Sequence, residues 1–412
     1  MPFGEDLIHS FFGVLPGLRC FLRLFVQYEL WIHHSLGSEN LRLAACFGCG
    51  LWLEGCQPGI LCSFLSGSAL VDCSCPMRPF SVFDRASPEL MLWMEAVGTS
   101  CSVQATNTLI REGDFSDRIL VLKEGCLTVT TSDQQQRQDL LATLGPGGLA
   151  GEMSWLEQRP AVANITADTD SKILELPAQD LDQLQFHHPA MAAELYRLIA
   201  QKLAIQIKRQ NAWVHRLTAA DFTVEALRKV LILFANLQEQ DVHRLASFGD
   251  IENVSPHSEL LQQGAEVPAL YLILSGEAEI LFTRSGATQL VGSSRRGELL
   301  GEMTLLLDDQ RGASAGVRSE KGMDLLAIER SKLQDELRRN PEFASRFFRG
   351  VACMLSQRSR DQLHNQQRSA SSYQTEQNTP DPLDLHQLEA ISRGARHFDW
   401  LCRHFQSGDS VQ

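Results

Sequence analysis

Residues 109–125, LIREGDFSDRILVLKEG, return as 260–276, LLQQGAEVPALYLILSG, matched position for position at a shift of 151. Each copy has an apolar pair, a turn on Gly113 or Gly264, a four-residue apolar run, and a closing Gly125 or Gly276. Further landmarks keep the offset to within two residues. GGLAGEM (147–153) answers GELLGEM (297–303), KILEL (172–176) answers DLLAI (324–328), and His188-Pro189 answers Asn340-Pro341. Self-similarity at one offset means a folding unit built twice.

Inside the first unit the apolar runs are short and punctuated by glycine. Strands are predicted at Thr108–Arg111, Ile119–Leu122, Leu127–Thr131, Leu140–Leu144, Ala163–Ala167 and Ile173–Leu176, with turns at Gly113, Gly125, Gly145, Gly147 and Gly148. Short strands at near-regular spacing predict an antiparallel barrel or sandwich. Helices flank it. Ser87-Pro88 offers a polar cap and a proline at the first helical position. His188-Pro189 opens a helix over 190–216 whose Leu195, Leu198, Ile199 and Leu203 share one face. The second unit enters through the amphipathic stretch ILFANLQEQDVHRLASF at 232–248.

The expected fold class is α+β: two consecutive antiparallel β-barrel (jelly-roll-like) domains, each flanked by helices, behind an irregular Cys-rich N-terminal leader. The expected boundaries are a leader at 1–77, domains at 87–215 and 230–360, a Ser-, Gln-, Asn- and Pro-rich linker at 361–383, and a helix at 384–405.

The stretch GELLGEMTLLLDDQRGASAGV, Gly297 to Val317, carries the chemistry. Amides at the start of a short helix face an anion, an arginine supplies a forked charged donor, and a carboxylate accepts from a sugar hydroxyl. With the turn signature at 109–125, this pattern resembles the phosphate-binding cassette of the cyclic-nucleotide-binding domain family, which includes the catabolite activator protein, kinase regulatory subunits and gated channels. Ser116 departs from the smaller residue usual in that signature.

The resemblance implies that Glu302 takes a ribose 2′-hydroxyl and Arg311, nine residues later, the cyclic phosphate. Gly301, Met303, Thr304, Gly312 and Ala313 complete the expected second site, where Gly312 lets the backbone approach a ligand. The first copy, GGLAGEMSWLEQRPAVANI (147–165), offers Gly151, Glu152, Met153, Ser154, Arg159 and Ala161. Here Ala161 stands nine residues after the glutamate, and Arg159 comes two residues early, before Pro160. Loss of one charged hydrogen bond, roughly 1.5–3 kcal/mol, weakens binding about ten- to a hundredfold. The first site is therefore expected to be degenerate. Residue 312 is Gly, and the threonine associated with cyclic GMP preference is absent, so cyclic AMP is the expected ligand and cyclic GMP the lesser one.

Composition bounds the rest. An apolar fraction of 44%, a charged fraction of 21% and 412 residues describe a globular chain of two or three domains. A net charge of -13 argues against nucleic acid as a general partner. No apolar run reaches the roughly 18 residues of a membrane span, and no basic n-region opens the chain. A cytoplasmic protein is expected.

Seven of the eleven cysteines precede Met77: Cys20, Cys46, Cys49, Cys56, Cys62, Cys73 and Cys75. Cys46-x-x-Cys49 begins like a zinc site, but the later spacings match none, and no metal is expected. The abrupt compositional change near Met77 raises the expectation that translation starts there or at Met91. His33-His34, His187-His188 and Arg295-Arg296 read as ordinary surface or core residues, and Phe343, Phe347 and Phe348 as core.

The function expected is a non-enzymatic regulatory protein that binds a cyclic mononucleotide and acts on an unidentified protein partner, with a homodimer formed through helix 190–216. Two alternatives stay open. One is a ligand-independent scaffold of degenerate barrels. The other is a transcription regulator of the catabolite activator type.

Overall fold

A computed structural model describes residues 80–132, 138–211, 231–284, 286–307, 312–370 and 385–406. The cysteine-rich leader, its zinc-like spacing and His33-His34 lie outside these residues, as do Asp308, Asp309 and Arg311.

The first domain opens with helix α1 (Pro88–Val97). Ser87 caps it, its Oγ accepting from the Leu90 amide. Strands β1 (Thr99–Val103), β2 (Thr108–Ile110), β3 (Arg118–Glu124), β4 (Leu127–Ser132), β5 (Gln138–Leu144) and β6 (Leu149–Ala150) follow. Then come the short helix α2 (Glu152–Glu157), β7 (Asn164–Ala167), β8 (Ser171–Pro177), α3 (Ala178–His187) and the long α4 (Pro189–Asn211). Two antiparallel sheets, β1-β8-β3-β6 and β2-β7-β4-β5, face each other as a flattened barrel.

The four-residue apolar runs mark strands buried on both faces. Side chains alternate along a strand, so Ile119 and Val121 of β3 pack against the helices while Leu120 and Leu122 fill the barrel. The duplicate does the same: Leu270 and Leu272 face helices, and Tyr271 and Ile273 face inward. β1 escapes the sequence reading because its residues, TSCSV, are half-exposed at a sheet edge and carry no apolar run.

The second domain starts with a helical stretch at 231–236 and α5 (Glu239–Ser247), so the expected entry helix is broken. Gln238 caps α5, and the Asp241 carboxylate accepts from the Gln238 amide. β9 (Gly249–Val254), β10 (Glu259–Leu261), β11 (Ala269–Arg284), β12 (Ala287–Arg295) and β13 (Leu299–Leu300) lead to α6 (Glu302–Leu307). β14 (Gly316–Glu329), α7 (Arg330–Arg339), α8 (Pro341–Ala370) and α9 (Leu385–Gln406) complete the order. β11 covers the ground of β3 and β4 in one strand, and β14 that of β7 and β8. Both stay continuous through register shifts near Ile273–Ser275 and Gly276–Ala278.

α4 and α8 lie side by side, and one apolar core runs through both. It includes Leu198, Ile199 and Leu203 from α4 and Phe347, Val351 and Leu355 from α8. Phe343, Phe347 and Phe348 are buried. This corrects the expected homodimer: the apolar face of helix 190–216, as far as it is described, is covered by α8 of the same chain. A second correction concerns the linker, since α8 continues through 361–370. At the far end α9 docks on the second domain's entry. Phe398 meets Phe234 at 5.1 Å between ring centroids, and Trp400 stacks on His243 at 3.8 Å.

Candidate functional site

Each cassette begins where a strand ends in a glycine that only a left-handed backbone satisfies. Gly151 and Gly301 share φ +86°, and the turn they make places Glu152 and Glu302 at the first positions of α2 and α6. A carboxylate there is favoured by the helix dipole. Both are buried, at 2% exposure each.

Neither carboxylate is left without a cation. Lys202 of α4 places its ammonium on Glu152. Arg358 of α8 donates from Nη1 to Glu302 at 2.5 Å and from Nη2 to the Leu299 carbonyl at 2.8 Å, and it also contacts Glu298. Burial opposes the Arg358 charge, but Glu302 and Glu298 outweigh it and hold the guanidinium above its usual value. Lys202 and Arg358 were missed by reading the sequence. Their signal was present, as cations interrupting the buried stripes of α4 and α8, but nothing in one dimension says what they face.

The small-residue runs after the short helices are pinned to the barrel. The Ala161 amide donates to the Asp114 carbonyl at 2.8 Å and the Gly113 amide to the Ala161 carbonyl at 2.9 Å. The Ala313 amide donates to the Ala265 carbonyl at 2.7 Å and the Gly264 amide to the Ala313 carbonyl at 2.8 Å. Residues 113, 114 and 161 thus correspond to 264, 265 and 313. A family model for the cyclic nucleotide-binding domain matches residues 101–188 and 251–340, one span over each barrel.

The chain carries two cyclic nucleotide-binding domains.

Relatives of these domains include a kinase regulatory subunit and a protein kinase, and also a glutaminase and patatin-like phospholipases. The chain is 26% identical over 219 residues to a cAMP-dependent protein kinase regulatory subunit of Emericella nidulans, covering 52% of this chain and 46% of that protein. It is 25% identical over 232 residues to the cGMP-dependent protein kinase egl-4 of Caenorhabditis briggsae, covering 55% of this chain and 26% of that kinase. The chain therefore spans about half the length, or less, of these curated relatives. The regulatory domain of Toxoplasma gondii PKA, solved with cAMP, is 16% identical, covers 62% of this chain and 86% of that one, and has a TM-score of 0.24.

The pinning sets the correspondence between the two cyclic nucleotide-binding domains, and it changes the reading of the arginines. Counted from the glutamates, Arg311 answers Ala161. Counted from the pinned residues, Ala313 answers Ala161 and Arg311 answers Arg159. The second cassette has two more residues between its glutamate and its pinned alanine.

Arg159 Nη1 lies 3.7 Å from Glu157 Oε2. Ser154 braces that turn, with its Oγ donating to the Arg159 carbonyl and accepting from the Ser116 amide. Met153 is buried beside it. In the second cassette the Thr304 hydroxyl donates to the Gly301 carbonyl at 2.7 Å, and Met303 Sδ lies 3.8 Å from Ser314 Oγ. Gly312, at φ +76°, lies against the β10–β11 turn: a Cβ there would come within 2.2 Å of the Ala265 carbonyl. Its freedom serves that close approach.

Arg295 pairs with Glu277, and Arg296 lies over the Phe398 ring and donates to Cys402. Among the described residues no cluster of His, Cys, Asp or Glu is placed to hold a metal, and no helix is long and apolar enough to cross a membrane.

Proposed function

We propose that this chain is a regulatory protein without catalytic activity of its own, which responds to a cyclic mononucleotide bound mainly in the second domain. Cyclic AMP is preferred over cyclic GMP. The observation that carries this reading is the setting of Glu302. It is a buried carboxylate at the head of a short helix, with one oxygen on a cation of α8 and Arg311 nine residues further on. A ligand that takes Glu302 through a ribose hydroxyl changes what Arg358 holds, and so changes α8. That is a population shift between two arrangements of the helix. A protein partner would read the change.

Calorimetry with cyclic AMP on the full chain tests the reading. Arg311→Ala and Glu302→Ala are each expected to weaken binding more than Arg159→Ala. Absence of heat at about 1 mM ligand would end it.

A second reading is a ligand-independent scaffold. It is favoured by alanine at the pinned position of both cassettes and by the cations already seated on both glutamates. A melting temperature unmoved by any cyclic mononucleotide would support it, because a bound ligand raises stability by mass action.

A further inference from the structure

The contacts between the long helices and the short ones are exchanged. Gln201 of α4 donates to the Leu306 carbonyl of α6, in the second domain, at 2.8 Å. Cys353 of α8 lies 3.7 Å from the Leu156 carbonyl of α2, in the first domain. Residues 201 and 353 differ by 152, and 156 and 306 by 150, the same offsets that relate the two domains. It is one contact made twice with the halves swapped. This is how an interface obeys a twofold axis, here inside a single chain.

Each long helix holds both cassettes. On α4, Lys202 takes Glu152 of its own domain, while its neighbour Gln201 reaches the other domain. On α8, Arg358 takes Glu302 of its own domain. Ser356 and Arg360 both donate to Glu157 of the first domain, and Arg360 also donates to the Pro160 carbonyl at 3.1 Å. Positions 356 and 360 lie one turn apart on one face of a helix, and 358 points to the opposite face. A single turn of α8 is therefore wedged between the two cassettes. Gln206 of α4 donates to Ser359 at 2.9 Å within that turn.

We infer that α4 and α8 form a crossed latch, through which the state of one cassette glutamate sets the state of the opposite cassette. Arg358 anchors to the second cassette the same turn whose Ser356 and Arg360 hold the end of α2, so its release from Glu302 removes a contact that positions them. Close-packed interiors answer such displacement by switching between arrangements, not by yielding in proportion. The latch depends on the chain's own residues and on no particular ligand.

Hydrogen exchange on the full-length protein, without ligand, tests this separately from any nucleotide reading. Glu302→Gln keeps the side-chain shape and removes the charge that holds Arg358. Exchange at the amides of 153–161 is expected to quicken by about tenfold, more than at β3 residues 119–122, although the substitution lies in the other domain. The reciprocal Glu157→Gln is expected to quicken 303–307 in the same way. Arg318→Ala, which removes an exposed pair with Glu279 in the second barrel, is expected to leave 153–161 unchanged. If Glu302→Gln leaves 153–161 at the parent rate, or speeds it no more than 119–122, the latch is overturned.

Discussion

Ala161 and Ala313 occupy the same place in the two barrels, each exchanging a pair of backbone hydrogen bonds with the turn before the long central strand. In the first domain this alanine stands nine residues after the cassette glutamate, where the family resemblance puts the phosphate-binding arginine. In the second, two additional residues bring Arg311 to the ninth position instead, ahead of the pinned alanine.

An arginine at the pinned position should restore a charged donor to the first cassette. Ala161→Arg is expected to strengthen cyclic AMP binding by that domain about ten- to a hundredfold, the value of one charged hydrogen bond. Calorimetry in a Glu302→Ala background reads the first domain alone. Unchanged affinity would mean that the pocket, and not only its arginine, has been lost.

Arg358 neutralises two buried carboxylates, Glu298 and Glu302. Its removal leaves like charges facing each other away from water. Arg358→Ala is expected to lower unfolding free energy by about 2–4 kcal/mol, below the full cost of a wholly buried pair because its side chain is 23% exposed. Arg318→Ala, from a side chain 46% exposed, should cost far less, because solvent screens that ion pair. Urea unfolding of both variants decides the matter, and equal losses would count against it.

Two glycines separate backbone strain from crowding. Gly113, at φ +88°, has open space where a Cβ would go, so Gly113→Ala carries only the conformational penalty, about 1 kcal/mol. Gly312→Ala adds a collision with the Ala265 and Gly264 carbonyls and should cost about 2 kcal/mol or more. Comparable melting temperatures for the two would contradict the packing described for the second cassette.

Tyr196, 1% exposed and stacked on Trp155 at 5.7 Å, has a buried hydroxyl without a hydrogen-bond partner. Burial raises its pKa from 10.0 to about 12, against the opposing pull of Arg349. The folded state therefore keeps its proton when the unfolded state loses it. The stabilisation is complete below pH 10 and is lost as pH rises towards 12, by roughly 2–3 kcal/mol. Tyr196→Phe is expected to abolish this alkaline loss and to be near neutral at pH 7, because no hydrogen bond is broken. A destabilisation above about 2 kcal/mol at pH 7 would reveal a partner for the hydroxyl.

The barrels were legible because burial on both faces of β3 and β11 demands uninterrupted apolar runs, and the turns between demand glycine. Duplication then turned a weak pattern into a specific one. Strand β1 was not legible, since nothing in its alternation separates an edge strand from a loop. The cassettes were half legible. Gly151-Glu152 and Gly301-Glu302 sit where the spacing put them, but counting nine residues from each glutamate and counting from the pinned alanines pair the later residues differently. Two extra residues shift sequence distance without shifting the hydrogen bonds that hold Ala161 and Ala313.

What the sequence determined by itself is therefore local and periodic: two copies of one unit, the strands with their turns, and the glutamates heading two short helices. What only the tertiary structure decided is who meets whom. Lys202 and Arg358 reach the glutamates, and Ser356 and Arg360 reach across to Glu157, because helices α4 and α8 bury their apolar faces against each other. Apolar burial is non-directional, so periodicity marks a face as buried without naming what buries it. The expected partner for that face was a second copy, and the chain supplied its own.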